Sequence, residues 1–165
     1  MSNKKICLVC PSCKVFEIII KDENFFCSKC NLYYKIKDRY PILINFDLKN
    51  VLIKENEIKI VKKKITTTSL KQKISSFIYG ISEVTQANVV NFLEKMNSKD
   101  DKHVLVIGGA TRGSGTKNLW ENNQIELISL DLVGTENVDY IADAHHLPFK
   151  DETFDGVWIQ AVLEH

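Results

Sequence analysis

The chain has no apolar run long enough to cross a membrane. A membrane-spanning helix needs about 18 or more consecutive apolar residues, and no stretch of the sequence approaches that length. The first ten residues, MSNKKICLVC, also lack the long apolar region of a signal peptide. We therefore expect a cytoplasmic protein with no membrane partner.

Cysteine is absent after residue 30, and all five cysteines precede that point. Two C-x2-C pairs, Cys10 with Cys13 and Cys27 with Cys30, are separated by 13 residues, which is the spacing of a four-thiolate zinc ribbon. Because so small a unit buries too little surface to fold alone, zinc would supply its stability. Two disulfides are the alternative, and the lack of an export signal disfavours them.

Cys7 forms a third C-x2-C spacing, with Cys10. Pro11 suits the turn of a metal-binding knuckle, which favours Cys10 and Cys13 as the first ligand pair. Cys7 lies in the apolar run 6–9, and we expect it to be a small buried hydrophobe.

Charge is unevenly distributed along a chain whose net charge is only +1. Residues 1–73 hold 16 Lys or Arg against 7 Asp or Glu, and residues 74–165 hold 6 against 14. Such an asymmetry indicates that the first part meets an acidic partner, with RNA as one candidate. The alternative is that the two parts attract each other and the lysines form a solvated face.

Glycine is scarce, yet four of the seven glycines lie within residues 108–115. The apolar run Val104 to Ile107 leads into Gly108 and Gly109, a pattern typical of a buried parallel strand that ends in a sharp turn. With Gly113 and Gly115 following, backbone N–H groups could approach a ligand closely before a helix begins near Thr116.

A second apolar run, Ile125 to Leu130, ends at Asp131, an acid 23 positions after Gly108. In a strand-helix-strand unit this spacing brings a carboxylate to the ribose of a nucleoside held over the glycine turn. The alternative is a tight turn that binds no ligand.

The segment from Asp143 to His165 carries four short motifs: Asp143-Ala144, Leu147-Pro148-Phe149, Phe154-Asp155-Gly156-Val157 and Leu163-Glu164-His165. Together they closely resemble the class I S-adenosylmethionine-dependent methyltransferases of the type 11 branch. The resemblance implies roles for eight residues, with the turn under the methionine part of the cofactor, an acid on the ribose and the remaining residues around the adenine: Gly108, Gly109, Ala110, Gly113, Asp131, Leu132, Asp143 and Ala144. For Asp143, capping of local backbone is the alternative.

This chain departs from the family pattern at three positions in the turn or just before it. Val106 stands where an acid usually holds the amino group of the cofactor, Ala110 replaces a third glycine, and Arg112 replaces a small residue. Only six residues separate Asp131 from Val138, too few for the helix that ordinarily connects parallel strands. Either the segment from Val138 to Ala142 pairs through an irregular connection, or it is not a full strand.

Between the cysteine pairs the sequence predicts a hairpin of residues 16–20 and 25–26 with its turn at residues 21–24. The residues that follow the second pair, Tyr34, Ile36, Asp38 and 40–43, resemble the small zinc-ribbon proteins that activate methyltransferases. Similar ribbons precede methyltransferase domains in ribosomal RNA guanine methyltransferases, whereas other fused members act on small molecules or sugars. The methyl acceptor, RNA or a small molecule, stays open.

Residues 47–100 are expected to form a linker with one or two extended segments and two helices. Ser69 would begin the first helix, which Gly80 would end, and Ser82 would cap the second. The apolar stripe of the second helix is expected at Val89, Val90, Phe92, Leu93 and Met96.

We therefore predict an α/β chain with three parts: a zinc ribbon (1–46), a linker with two helices (47–100) and the N-terminal half of a class I methyltransferase domain (101–165). The incomplete Rossmann-like sheet would contain only the first four strands of the fold, Val104 to Ile107, Ile125 to Leu130, Val138 to Ala142 and Gly156 to Gln160. The fourth strand would have an open apolar edge, which favours self-association or a partner chain. A domain so truncated is expected to be inactive alone.

No catalytic residue is assigned by the sequence. His145, His146 and His165 are candidate general bases, each of which could equally be structural. Two other functions stay open. One is a ribbon that binds RNA or a partner protein beside an inert domain; the other is a nicotinamide-dependent oxidoreductase, which the motifs after Asp143 argue against.

Overall fold

The structure is a computed structural model that describes residues 6–15, 17–51, 53–61, 82–96 and 102–160. Among these residues, no helix is long and apolar enough to cross a membrane. The strands and helices follow one another as β1 (Ile19–Lys21), β2 (Asn24–Cys27), β3 (Leu32–Tyr34), β4 (Ile36–Lys37), β5 (Tyr40–Pro41), β6 (Lys59–Ile60), α1 (Glu83–Met96), β7 (Lys102–Ile107), α2 (Lys117–Trp120), β8 (Ile125–Asp131), β9 (Val133–Gly134), β10 (Tyr140–Ile141) and β11 (Gly156–Ile159).

The central sheet has the strand order β10-β8-β7-β11, and every neighbouring pair is parallel. Strand β7 is buried along its whole length, as expected for an apolar strand flanked on both sides and covered on both faces. The first strand of the unit lies between the second and the fourth, which is the order of the first half of a Rossmann-like sheet. The prediction of an α/β core is thereby confirmed.

Strand β10 is shorter than expected. Only Tyr140 and Ile141 form the strand, paired with Leu130 and Asp131, so the segment from Val138 to Ala142 is not a full strand, which is one of the two alternatives left by the short connection. Because β10 pairs with only the last two residues of β8, the connection between them runs back along the sheet by only two residues. A connection without a helix is long enough for this.

Two helices cover one face of the sheet. The first, α1, begins after Ser82, whose Oγ accepts the backbone N–H of Thr85 at 3.2 Å, as predicted for its cap. The Phe92 ring of α1 meets the ring of Trp158 edge to face, with the ring centroids 5.5 Å apart. Val90 is 45% exposed and does not belong to the buried stripe, contrary to the prediction.

The second helix, α2, is a single turn that starts one residue after Thr116 and buries Leu119 completely. The expected helix between Ser69 and Gly80 lies outside the described residues.

The opposite face of the sheet is covered by the described residues between 6 and 46, called the cysteine region below. One hydrophobic core joins the two parts, and its fully or nearly buried members are Cys10, Ile18, Cys27, Tyr34, Leu43, Leu105, Ile107, Ile128, Leu130, Ala142 and Phe149. The cysteine region therefore takes the place that helices hold on the second face of an ordinary doubly wound sheet.

Within the cysteine region, β1, β2 and β3 form an antiparallel sheet. Asp22 and Glu23 connect β1 to β2, and both have positive φ values, 49° and 60°. A two-residue loop with this backbone matches the twist of a hairpin, so the predicted hairpin and its turn are found, although Phe16 lies outside the described residues.

The linker also contributes to the sheet region. Strand β6 pairs in parallel with β9, the two residues that follow shortly after Asp131. This contact needs a small residue, because a Cβ on Gly134 would meet Ile60 and Tyr40 at 3.3 Å each. The linker thus fixes the segment after β8, where a crossover helix would otherwise begin.

We predict that Gly109→Ala lowers the free energy of unfolding by about 1–3 kcal/mol, the usual cost of overpacking a core. An added methyl group would overlap the Oγ of Ser129, and after rotation of that hydroxyl it would still lie 3.1 Å from the serine Cβ, closer than an ordinary contact. Urea unfolding of the purified protein, followed by tryptophan fluorescence, measures the change.

The matched control is Gly113→Ala, because a Cβ there would meet its nearest neighbours at an ordinary 3.5 Å. Equal unfolding free energies for the two variants would contradict the prediction.

Candidate functional site

Four cysteine sulfurs meet at one point of the cysteine region. The Sγ atoms of Cys10, Cys13, Cys27 and Cys30 all lie within 4.8 Å of one another. Cys10 and Cys30 are separated by 3.8 Å, and Cys13 and Cys27 by 3.9 Å. Four thiolates around one zinc ion at about 2.3 Å would have about these separations, so the donor set fits a tetrahedral metal ion.

The backbone after each cysteine pair has the same shape. Lys14 follows the first pair with φ 58°, and Asn31 follows the second with φ 53°. The backbone N–H of Lys14 also donates to the carbonyl of Cys10 at 2.8 Å, which closes the first turn. Two matching turns therefore present the two pairs of sulfurs to each other.

A chain of hydrogen bonds holds one of these sulfurs in place. The Tyr34 hydroxyl lies 3.1 Å from the Sγ of Cys10 and 3.2 Å from the Oγ of Ser12. The side-chain amide of Asn45 donates to the same Ser12 oxygen at 2.9 Å. Groups of this kind orient metal ligands and tune their basicity.

The thiols differ in acidity. Burial works to raise the pKa of Cys10, but hydrogen bonds from Tyr34 and from the backbone of Cys13 and Ser12 outweigh it, and the pKa lies below its ordinary value. Burial, together with hydrogen bonds among the thiols, raises the pKa of Cys30 to about 12. A metal ion must displace such protons, so binding should weaken as the pH falls.

Cys7 stands apart from this cluster. Its Sγ donates to the carboxylate of Glu17 at 3.0 Å, and the residue is half-buried. The expectation of a buried apolar side chain was therefore wrong, because a neighbouring carboxylate offers the thiol an acceptor.

A second candidate site lies at the carboxyl edge of the sheet, where the glycine turn meets the end of β8. The two Asp131 carboxylate oxygens accept the backbone N–H groups of Ala110 at 2.9 Å and Val133 at 3.0 Å. The turn itself bends back on β8, since Gly108 and Gly109 both donate to the carbonyl of Leu130. The turn and the acid, adjacent in the prediction, are adjacent in space.

Gly108 has φ 82°, a conformation that favours glycine. Gly113 lies further along the turn, beside the side chain of Gln160. Leu132 is half-buried against the apolar cluster that includes Val138 and Ile141.

Asp143 is buried and bonds to a residue that closely follows it in the chain. Its side chain is 1% exposed, and one carboxylate oxygen accepts the backbone N–H of His145 and contacts the ring Nδ1 of the same residue, both at 2.9 Å. The carboxylate caps the short 3-10 turn Ala144–His146. Capping of local backbone, the alternative stated above, describes its contacts here, while Ala144 is half-buried on that turn.

Two further residues hold the glycine turn, and sequence reasoning missed both. The side-chain amide of Gln160 donates to the carbonyls of Gly108 at 3.0 Å and Thr111 at 2.6 Å. The Thr135 hydroxyl, nearly buried, donates to the carbonyl of Ala110 at 2.8 Å. Gln160 directly follows a strand parallel to β7, and this position could have indicated a contact with the turn. The contact of Thr135 depends on the irregular loop that carries it.

The candidate bases differ in their burial and in their hydrogen-bond partners. His145 is bonded to the buried carboxylate of Asp143, and its side chain is 50% exposed. The Nε2 of His146 is buried with no hydrogen-bond partner among the described residues. His165 lies outside the described residues.

Residues 109–165 match a family model described as a methyltransferase domain. The match begins inside the glycine turn and includes the segment with the four motifs, so the resemblance read from those motifs is confirmed for this part of the chain. No curated protein matches the chain. Strand β7 and everything before it lie outside the match, as does the cluster of four cysteines.

We predict that Tyr34→Phe weakens zinc binding by about 10- to 100-fold, the usual cost of removing a hydrogen-bonding partner of a metal ligand. The change deletes the hydroxyl beside the Sγ of Cys10 and leaves the ring in place. Competition with a chelator of known affinity measures the effect. Tyr33→Phe is the control, because Tyr33 is the neighbouring residue of the same strand and is 47% exposed; equal affinities for the two variants would contradict the prediction.

We also predict that Cys7→Ser leaves the bound zinc unchanged at one equivalent, whereas Cys10→Ser reduces it. The Sγ of Cys7 contacts Glu17 rather than the four clustered sulfurs. Metal analysis of the purified variants gives the stoichiometry. Loss of zinc from the Cys7 variant would show that the ligand set is shifted.

Proposed function

We propose that this chain carries the cofactor half-site of an S-adenosylmethionine-dependent methyltransferase. The observation that supports it most strongly is the 2.9 Å contact of Asp131 with Ala110, at the carboxyl edge of a parallel sheet with the Rossmann-like strand order. This is the edge at which such sheets bind their ligands. The family match of residues 109–165 gives the reaction class.

The described residues fit the adenosine part of the cofactor in one respect above all. Asp131 is half-buried, and each of its oxygens makes one backbone contact. An ionised carboxylate has about four acceptor positions, so lone pairs are left for two ribose hydroxyls. Gly108, Gly109, Ala110 and Gly113 would hold the methionine part through their backbone, and Leu132 with Ala144 would pack against the adenine. We assign Asp143 to positioning of the turn that carries Ala144.

When bound, the cofactor would supply an activated methyl group on a sulfonium. The described residues would contribute binding and orientation, which are the main requirements of such a displacement. The acceptor is a nucleophile of RNA or of a small molecule. A groove of about 860 Å³ lies between α1 and β11, and Gly113 and Gln160 are among the residues that line it.

The four clustered cysteines would hold a zinc ion in a structural site. All four positions of a tetrahedral ion would be occupied by thiolates, which leaves no position for a reacting water. We propose the same division as the sequence predicted: a zinc ribbon (1–46), a linker (47–100) and a partial methyltransferase domain (101–165).

Calorimetric titration with S-adenosylmethionine tests the cofactor site. Asp131→Asn should weaken binding by about 1–3 kcal/mol, because an amide NH2 group, which only donates, replaces one of the two accepting carboxylate oxygens. Glu136→Gln is the matched control, since Glu136 is an exposed acid of the same loop. Absence of binding by folded, zinc-loaded protein would overturn the proposal.

A second function is supported by the outer face of the cysteine region. Ile19 and Tyr33 share one face of this sheet, because both pair with Phe26. They are 56% and 47% exposed, and the ammonium of Lys21 lies 4.7 Å from the centre of the Phe26 ring. Aromatic rings with flanking lysines bind single-stranded nucleic acid by stacking and charge. Under this alternative, RNA binding would be salt-sensitive, would fall on Tyr33→Ala, and would occur without any cofactor binding.

The free edge of the central sheet is the proposed place of a partner. Among the described residues no strand pairs with the outer edge of β11, where Val157 and Ile159 are 48% and 45% exposed. We propose that a second copy or another chain covers this edge. If a second copy covers the edge, light scattering over a range of concentrations should show association, and a monomer at high concentration would leave another chain as the partner.

A further inference from the structure

Three hydrogen bonds join the segment that follows Asp143 to the cysteine region. The backbone N–H of Val9 donates to the carbonyl of Pro148 at 2.9 Å, and that of Lys150 donates to the carbonyl of Cys7 at 3.1 Å. The Nζ of Lys14 donates to the carbonyl of Leu147 at 2.7 Å. Residues 143–150 are called the adenine loop below, after their proposed role.

Two of the three bonds come from residues next to the metal ligands, and the third involves Cys7, three positions before Cys10. Val9 directly precedes Cys10, and Lys14 directly follows Cys13. Between them the chain makes the turn that presents the first pair of sulfurs. The path of this turn, and with it the direction of the bonds of Val9 and Lys14, depends on the four sulfurs being held together.

Packing connects the same two parts. Phe149 of the adenine loop is buried in the core that also contains Cys10 and Cys27. Its ring meets those of Tyr140 and Phe154 edge to face, at centroid distances of 5.6 Å and 4.8 Å. Leu8 and Phe149 form an antiparallel bridge that brings the backbones into contact. A shift of the first cysteine pair would therefore shift the loop.

A second contact leads from the cysteine region to the glycine turn. The guanidinium of Arg39 donates to the carbonyl of Thr135 at 3.1 Å. Thr135 in turn holds Ala110 through its hydroxyl. Nearby, the backbone N–H of Leu43 donates to the carbonyl of Ile141 at 2.8 Å, two residues before Asp143. The cysteine region thus contacts both sides of the proposed adenosine site.

We infer that metal occupancy of the four-cysteine site sets the affinity for the cofactor, through the hydrogen bonds between residues 7–14 and the adenine loop. The inference rests on the proposed function. The metal ion acts at a distance: it touches no part of the cofactor site, and the residues of the first cysteine pair position the loop that carries Ala144. Metal and cofactor would then each increase the affinity for the other by the same factor.

Hydrogen exchange followed by mass spectrometry is the first test, and it needs no cofactor. Removal of zinc with a chelator should speed exchange at the amides of Val9 and Lys150 at least tenfold, while β7 and β8 keep their protection. Unchanged exchange in the adenine loop would overturn the inference.

Cofactor affinity is the second test, and it uses zinc-loaded protein throughout. Lys150→Pro removes the N–H that donates to Cys7, whereas Lys150→Ala removes only an exposed side chain and keeps that bond. We expect the proline variant to bind S-adenosylmethionine at least threefold more weakly than the alanine variant, with the zinc content of both unchanged. Equal affinities would overturn the inference.

The two proposals fail in different ways. If the zinc-loaded wild-type protein does not bind S-adenosylmethionine, the proposed function is wrong, and the exchange experiment still decides whether zinc orders the loop. If chelation also speeds exchange in β7 and β8, the comparison of Lys150→Pro with Lys150→Ala decides whether the inference holds, because both variants keep the metal.

Discussion

A parallel sheet must have both of its faces covered, and the rest of this structure depends on how that requirement is met. The helices α1 and α2 cover one face, and the other is covered by the cysteine region, whose own strands are short. The core contributed by Leu105, Ile107, Ile128 and Leu130 would be open to water without the cysteine region. Burial of that face is shared, so the cysteine region and the sheet stabilise each other.

The carboxyl edge of the sheet is held by polar groups that already have protein partners. Asp131, Thr135 and Gln160 each bond to backbone atoms in or next to the glycine turn. Such contacts keep the turn in one conformation before any ligand arrives, which reduces the entropy lost on binding. Ala110 can replace a glycine in this turn because its φ is not positive, so its backbone conformation does not require glycine.

Much of this arrangement could be predicted from the sequence, and the remainder depended on contacts between distant residues. The strands ending at Ile107 and Asp131 were found from apolar runs, and the cysteine cluster from its spacing, because both signals are local. The short β10, the exposure of Val90 and the burial of Asp143 were not, since each depends on what packs against the element. The pairing of β6 with β9 also has no local signal, as two-residue strands leave no periodicity.

The bond between Lys14 and Leu147 joins residues 133 positions apart in the chain. During synthesis the cysteine pairs leave the ribosome long before the adenine loop exists. They can bind a metal ion early, but the core that buries Cys10 and Cys27 is complete only after Phe149 has been synthesised. Contacts of such sequence separation slow folding, and an emerging sheet face stays open to other chains until they form. During synthesis the cysteine region is therefore exposed until the segment that completes its core has been made.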